Sequence, residues 1–81
     1  MRLDKFLIIS RILKRRTVAN AACDGGRVTV NGKTAKPSLQ LKTGDIIEIS
    51  LGNNRLCVRV LALPPYIKKE EAQNLFEVIS E

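Results

Sequence analysis

Apolar side chains recur at three- and four-residue steps between residues 2 and 13, which predicts a helix with one face in the core. Asp4 and Arg11 fall on the opposite side of this helix, with Lys5 flanking them. Asp4 also suits the positive end of the helix dipole, so capping or the orientation of a nearby arginine is favoured over a catalytic role. The predicted core face consists of Leu3, Phe6, Leu7, Ser10 and Leu13.

A second short helix is predicted over residues 17–24, where the small apolar residues again have helical spacing. Thr17 is its candidate N-cap, and the glycine pair at residues 25–26 stops it because glycine adopts left-handed backbone conformations at little cost. The expected inner face consists of Val18, Ala21 and Ala22.

Three consecutive basic residues, Lys14, Arg15 and Arg16, interrupt the apolar pattern between the two predicted helices. They lead into the N-terminus of the second helix, where free backbone N–H groups add to the side-chain charge. The junction is therefore a predicted phosphate site.

After the glycine pair the apolar period changes to two, which indicates strands. The predicted strands span residues 27–30, 33–35, 46–49 and 56–63. Asn31-Gly32 predicts a two-residue type I′ hairpin turn, and residues 52–54 predict a second hairpin turn. Pro37 and the proline pair at 64–65 are expected to end their strands.

The tail is expected to be helical from about residue 68 to 75, and residues 76–79 fit either a helix or a short added strand. The predicted fold class is α+β, with two N-terminal helices packed on a small, mostly antiparallel sheet and a short C-terminal helical tail. Residues 1–63 would form the domain and residues 64–81 a C-terminal extension.

The distribution of charge along the chain indicates a binding function in addition to the predicted fold. The chain carries 14 basic and 8 acidic residues, a net charge of +6. Residues 1–36 hold nine basic residues against two acidic ones, a local net charge of +7, whereas residues 66–81 are acidic. A basic half of this kind points to a polyanion, because each lysine or arginine on a phosphate releases condensed counterions. Charge alone does not separate RNA from DNA, heparin or acidic lipid.

Several classes of function lack the residues that they need. Only Phe6, Tyr66 and Phe76 are aromatic, which argues against binding by stacked bases. The chain has no histidine, and Cys23 and Cys57 fit no zinc spacing, so they are expected to be structural. No cofactor, signal peptide or membrane span is expected, and the protein is expected to be cytosolic.

Four short motifs, taken in their order along the chain, resemble those of a known family. They are Arg-Thr-Val-Ala at residues 16–19, Gly-Arg-Val-Thr-Val-Asn-Gly at 26–32, Lys-Pro-Ser at 36–38 and Gly-Asp at 44–45. Together they resemble the RNA-binding domain named after ribosomal protein S-four, also called the alpha-L motif. The resemblance covers about residues 1–50 and implies an RNA-binding module without enzymatic activity.

Within that family the chain looks like a small bacterial group. The Arg-Leu-Asp-Lys start, the Lys-Arg-Arg-Thr junction and the tail at residues 68–72 are similar to the RqcP-type proteins and the 15-kilodalton heat-shock ribosome-recycling proteins. The resemblance implies binding to large ribosomal subunits obstructed by peptidyl-tRNA, in support of alanine tailing by a partner protein. The implied partners are large-subunit rRNA and peptidyl-tRNA, and the free protein is expected to be a monomer.

Arg16 matches the family's signature arginine and is the first candidate for an RNA contact. Arg15 stands where the family commonly has serine, which replaces a possible cap with another phosphate-binding charge and leaves Thr17 as the cap or the helix weakly capped. The full set of candidate RNA-binding residues is Arg2, Asp4, Lys5, Arg11, Lys14, Arg15, Arg16, Lys33 and Lys36.

Three alternatives stay open at this point. One is a general rRNA-binding or ribosome-assembly accessory protein without a quality-control role. A second is a DNA-binding protein, which competition between structured RNA and duplex DNA would separate from the first. A third is an enzyme, which is disfavoured because no nucleophile–base pair, carboxylate pair or metal cluster is visible in the sequence.

Overall fold

The computed structural model describes residues 1–64 and 69–80, which form two helices followed by an antiparallel sheet. The predicted α+β class is confirmed. The elements in chain order are α1 (Leu3–Ile9), α2 (Arg16–Asp24), β1 (Val28–Val30), β2 (Lys33–Thr34), β3 (Ile46–Leu51), β4 (Asn54–Val60), a 3₁₀ helix (Lys69–Leu75) and β5 (Phe76–Ser80).

Helix α1 is shorter than the sequence predicted, because the chain turns at Arg11 instead of continuing to residue 13. Arg11 has a φ of +63°, a left-handed conformation that ends a right-handed helix. Its N–H donates to the carbonyl of Ile8, and the N–H of Leu13 donates to the carbonyl of Leu7, both at 3.0 Å. Leu13 is buried as predicted, but it reaches the core from a turn.

Helix α2 buries a different face from the predicted one. Ala19, Ala22 and Cys23 are its buried residues, whereas Val18 is 48% exposed and Ala21 is exposed. The prediction of Val18 and Ala21 as inward-facing was therefore wrong. Alanines occur on more than one side of this helix, so their spacing alone does not identify the buried face.

The N-terminus of α2 also differs from the prediction. The helix begins at Arg16, so Thr17 lies inside the first turn and cannot be the N-cap. Arg15 occupies the cap position with extended backbone angles, and its side chain makes no capping hydrogen bond. The weaker-cap alternative therefore holds, and the first N–H groups of α2 receive no side-chain acceptor from the cap residue.

The sheet has the strand order β2-β1-β3-β4-β5, and every neighbouring pair is antiparallel. The predicted type I′ turn is confirmed, because Asn31 and Gly32 both have positive φ, +54° and +84°. Strand β4 begins at Asn54 and ends at Val60, so it starts earlier than predicted and stops four residues before Pro64.

One face of the sheet packs against α1 and forms the core. Alternate residues of the three central strands point to this side, as the period of two predicted. The fully buried residues that meet here are Leu3, Phe6 and Leu7 from α1 and Val28, Ile47, Ile49, Val58 and Val60 from the sheet.

The tail adds a fifth strand to the four that were predicted. Residues 69–75 form a 3₁₀ helix, and residues 76–80 take the strand alternative that the sequence left open. Leu75 is 2% exposed, and its carbonyl accepts hydrogen bonds from the N–H groups of Leu61 and Ala62. Pro65 and the expected helix start at Lys68 lie outside the described residues. No helix in the described ranges has the length and apolar character needed to cross a bilayer.

Candidate nucleic-acid interface

Asp4 lies at the centre of the candidate site, and its position differs from the prediction. The sequence placed it on the solvent side of α1, but it is 1% exposed. Asp4 faces the start of α2 instead of solvent, because its carboxylate accepts hydrogen bonds from Arg16 at the first position of that helix. Its Oδ1 accepts the backbone N–H of Lys5 at 2.8 Å.

Two arginines share the carboxylate of Asp4. Arg2 donates to it through Nε at 3.2 Å and Nη2 at 3.1 Å, and Arg16 donates through Nε and Nη2, each at 3.4 Å. The Arg2 and Arg16 side chains remain 48% and 54% exposed. The expectation that Asp4 orients a nearby arginine is therefore confirmed for two arginines. We call these three residues the Arg2–Asp4–Arg16 cluster.

The start of α1 is fixed against the segment that precedes β3. Leu3 and Asp4 donate backbone hydrogen bonds to the carbonyls of Leu39 and Pro37, at 2.8 and 3.0 Å. Arg2 forms an isolated antiparallel bridge with Gln40, whose Oε1 accepts the N-terminal amine of Met1 at 3.2 Å. These bonds hold the backbone that carries Arg2, so the cluster is built from two segments of the chain, the starts of α1 and α2, and a third segment at residues 37–40 supports it.

The other candidate residues near the helices are all exposed. Arg11 lies in the turn after α1, Lys14 and Arg15 lie in the connection to α2, and Lys5 lies on α1. None of the four forms a salt bridge within residues 1–64 and 69–80. Their side-chain charges are therefore free to meet an anionic ligand, and none of these side chains forms a salt bridge with Asp4.

Lys33 and Lys36 lie at the other end of the candidate surface, beside the β1–β2 hairpin. They line an open groove together with Lys42, a basic residue that the sequence reasoning did not select. Lys42 stands in the loop before β3, outside the motifs, and its position across from the hairpin depends on tertiary structure. Its only sequence signal was its charge.

The basic residues of the C-terminal half are arranged differently. Arg55 pairs with Glu48 at 2.6 Å, and Arg59 pairs with Glu77 at 3.4 Å. Both pairs link neighbouring strands on the side of the sheet away from the helices. Among the side chains that the structure describes, the charge that remains available to a polyanion is therefore concentrated around α1, α2 and the β1–β2 hairpin.

Cys23 is a buried core residue near the Arg2–Asp4–Arg16 cluster. It is 3% exposed, and burial, with a smaller effect from the negative charges of Asp4 and Asp24, raises the pKa of its thiol from 9.0 to about 11. Such a thiol is protonated and unreactive at neutral pH. No group of three metal-ligating side chains occurs in the parts of the chain that the structure describes.

Comparison with known proteins places these features in a family. Residues 1–47 match the S4 domain. The RQC P-site tRNA stabilizing factor of Streptococcus pneumoniae is 53% identical over all 81 residues and 92% of its own length. The protein of the same name from Bacillus subtilis is 44% identical over all of this chain and 94% of its own.

A solved structure supports the same assignment. Heat shock protein 15 of Vibrio cholerae, whose structure is trimeric, superposes with a TM-score of 0.88 at 31% identity, over 99% of this chain and 82% of the other. The two helices, the basic junction between them and strands β1 and β2 lie within residues 1–47, which match the S4 domain. This chain belongs to the S4 domain family.

Proposed function

We propose that this chain binds tRNA in the P site of large ribosomal subunits during ribosome-associated quality control. The observation that carries the proposal is full-length similarity, at 53% identity, to a protein named RQC P-site tRNA stabilizing factor. The Arg2–Asp4–Arg16 cluster supports it with a surface suited to phosphate, because the planar guanidinium can hold a phosphate through two hydrogen bonds.

The proposed contact surface combines this cluster with the exposed charges around it. Arg16 is the principal contact, and Asp4 acts by holding Arg16 and Arg2 in place. Recognition is expected to follow RNA shape, phosphates and 2′-hydroxyls, because the surface has basic side chains and no row of aromatic rings. The flanking contacts are Lys5, Arg11, Lys14, Arg15, Lys33 and Lys36.

The proposed partners follow from the same relatives. The relatives' name supports tRNA, and the resemblance to the RqcP-type group implies the other proposed partners, which are large-subunit rRNA and a protein that adds the alanine tail, all in the cytoplasm. The free chain is proposed to be a monomer.

Co-sedimentation of the purified protein with large ribosomal subunits tests the proposal. Subunits with and without bound peptidyl-tRNA would be compared across a salt series, since phosphate contacts alone weaken steeply with salt. Preferential binding to the obstructed subunit that survives moderate salt is the expected result. Equal, weak binding to both subunits would favour the alternative of a general rRNA-binding accessory protein.

Arg16→Ala provides the residue-level test in the same assay. The loss of a charge-assisted contact is expected to weaken binding by about 1–3 kcal/mol. Because Arg16 is half exposed and its partner Asp4 retains Arg2, the variant is expected to fold. A folded Arg16→Ala protein that binds obstructed subunits as tightly as the wild type would contradict the assignment.

A further inference from the structure

An open groove lies between the β1–β2 hairpin and the segment that leads into β3. Its volume is about 540 Å³, within the range of about 300–1,000 Å³ that is usual for ligand sites. This size suits an unpaired nucleotide and is too small for a duplex to enter. Its lining includes Lys33 and Lys36 on the hairpin side and Leu39, Gln40 and Lys42 on the other side.

The two walls of the groove are held together by side-chain hydrogen bonds. Asn31 donates through Nδ2 to Oδ1 of Asp45 at 3.1 Å, and its Oδ1 accepts the N–H of Ile46 at 3.0 Å. The other carboxylate oxygen of Asp45 accepts the N–H of Lys42 at 2.9 Å. The hairpin and the loop are therefore fixed before any ligand arrives, which reduces the entropy that binding must overcome.

The charge of the groove favours an anion. Lys33, Lys36 and Lys42 are exposed, and none of them forms a salt bridge within the described ranges 1–64 and 69–80. Among the described residues of the lining, Asp45 alone is acidic, and its oxygens already accept the hydrogen bonds described above. The lining thus combines three available ammonium groups with one engaged carboxylate.

The apolar part of the groove limits what kind of anion it can hold. Leu39 is 38% exposed, and Val30 and Ala35 lie beneath the hairpin side. None of the described residues that line the groove is aromatic, so they cannot hold a base between rings as stacking platforms do. A sugar or base edge can instead rest on Leu39 while the neighbouring phosphates meet the lysines.

From this arrangement we infer that the groove binds the backbone of an unpaired RNA strand through Lys33, Lys36 and Lys42. The inference rests on the proposed function and extends it. Arg2 of the Arg2–Asp4–Arg16 cluster is bridged to Gln40, which lines the groove, so an RNA held at the cluster can continue into the groove. The cluster binds the paired region, and the groove binds the unpaired nucleotides that follow it.

Two RNAs with the same number of phosphates test this division, one a stem with an unpaired loop and the other a blunt-ended duplex. Lys42→Gln in the full chain is expected to weaken stem–loop binding about fivefold. It is also expected to lower the magnitude of the salt slope by about 0.7, the value for one phosphate contact with a single strand, and to leave the duplex affinity unchanged. Arg59→Gln is the matched control, because it also removes one positive charge, but from the face of the sheet that lies away from the helices.

The outcomes separate the groove from the proposed function. If Lys42→Gln weakens both RNAs equally, or behaves like Arg59→Gln, the groove does not bind an unpaired strand. Arg16→Ala measured on the same two RNAs is expected to weaken both. If Arg16→Ala does so while Lys42→Gln has no effect, the groove inference fails and the proposed function stands. If Arg16→Ala also has no effect, the proposed interface fails.

Discussion

At the scale of single residues, Asp4 holds two arginines of the candidate interface in position. A buried charge is costly unless it is paired and hydrogen-bonded, and Asp4 meets that condition with two guanidinium groups and one backbone N–H. The two arginines are restrained by Asp4, yet about half of each side chain stays open to solvent. RNA would therefore meet guanidinium groups that have already lost part of their rotamer freedom.

Asp4→Asn separates this positioning role from simple electrostatics. The substitution raises the net charge from +6 to +7, so a purely electrostatic surface would bind RNA more tightly. If Asp4 holds the two arginines in place, the same substitution should weaken RNA binding about three- to tenfold. Fluorescence anisotropy with a structured RNA at fixed salt measures the difference.

Glu48→Gln is the charge-matched control for this experiment. It also removes one negative charge, but from the pair with Arg55 on the sheet, away from the cluster. It is expected to leave RNA binding unchanged or slightly tighter. Tighter binding by Asp4→Asn as well would refute the positioning role.

Cys23 predicts a pH dependence of stability. Its pKa is about 11 in the folded protein and 9.0 without the fold, so the folded state keeps the thiol proton that the unfolded state releases. The stabilisation is fully present below pH 9 and is lost as the pH rises toward 11, by about 1 kcal/mol per pH unit. Urea unfolding between pH 8 and about 10.5 should show the decline, and Cys23→Ala should show a smaller one. Equal declines in both proteins would rule out Cys23 as the cause.

At the scale of elements, local chemistry predicted more than long-range packing did. The Asn31-Gly32 hairpin was predictable because a type I′ turn depends on two adjacent residues. The end of α1 was not, because Arg11 adopts positive φ although arginine has no preference for it. The buried face of α2 depends on how it meets α1, and the alanines of its sequence fit several faces. Lys42 was missed because its neighbour across the groove is distant in sequence.

The β1–β2 hairpin allows a prediction at this scale. Asn31 contributes both a left-handed backbone conformation and two side-chain hydrogen bonds to the segment before β3. Asn31→Ala loses all of these and is expected to destabilise the protein by about 2 kcal/mol. Asn31→Gly keeps the backbone conformation and is expected to cost about half as much. Urea unfolding of the two variants measures the two contributions, and equal costs would show that the hydrogen bonds alone decide.

At the scale of the whole molecule, the two halves of the chain have different roles. The first carries most of the candidate binding surface, and the second completes the sheet. Among the side chains that the structure describes, the basic ones without a salt bridge lie in residues 1–42, whereas Arg55 and Arg59 are paired with Glu48 and Glu77. The sequence anticipated this asymmetry from composition alone. It left open whether residues 76–79 form a helix or an added strand, and it did not anticipate that Glu77 of this strand pairs with Arg59 of β4.

Leu75 tests whether the tail belongs to the cooperative unit that carries the interface. Its side chain is 2% exposed and belongs to the same buried cluster as Phe6 and Val28, although it lies beyond the predicted domain boundary at residue 63. Leu75→Ala is expected to cost about 2–4 kcal/mol by leaving a cavity. Val78→Ala, at a position that is 48% exposed, should cost far less.

Native-state hydrogen exchange locates that cost. If the tail and the helices unfold together, Leu75→Ala should speed exchange of the slowest amides in α1 and β1 as much as of those in β5. Faster exchange confined to residues 69–80 would mean that residues 1–63 fold as a separate domain with an added extension. If the tail and the helices unfold together, Leu75→Ala should lower RNA binding near the melting temperature, although it lies far from the Arg2–Asp4–Arg16 cluster. Binding at low temperature should remain intact, because only the folded population binds RNA.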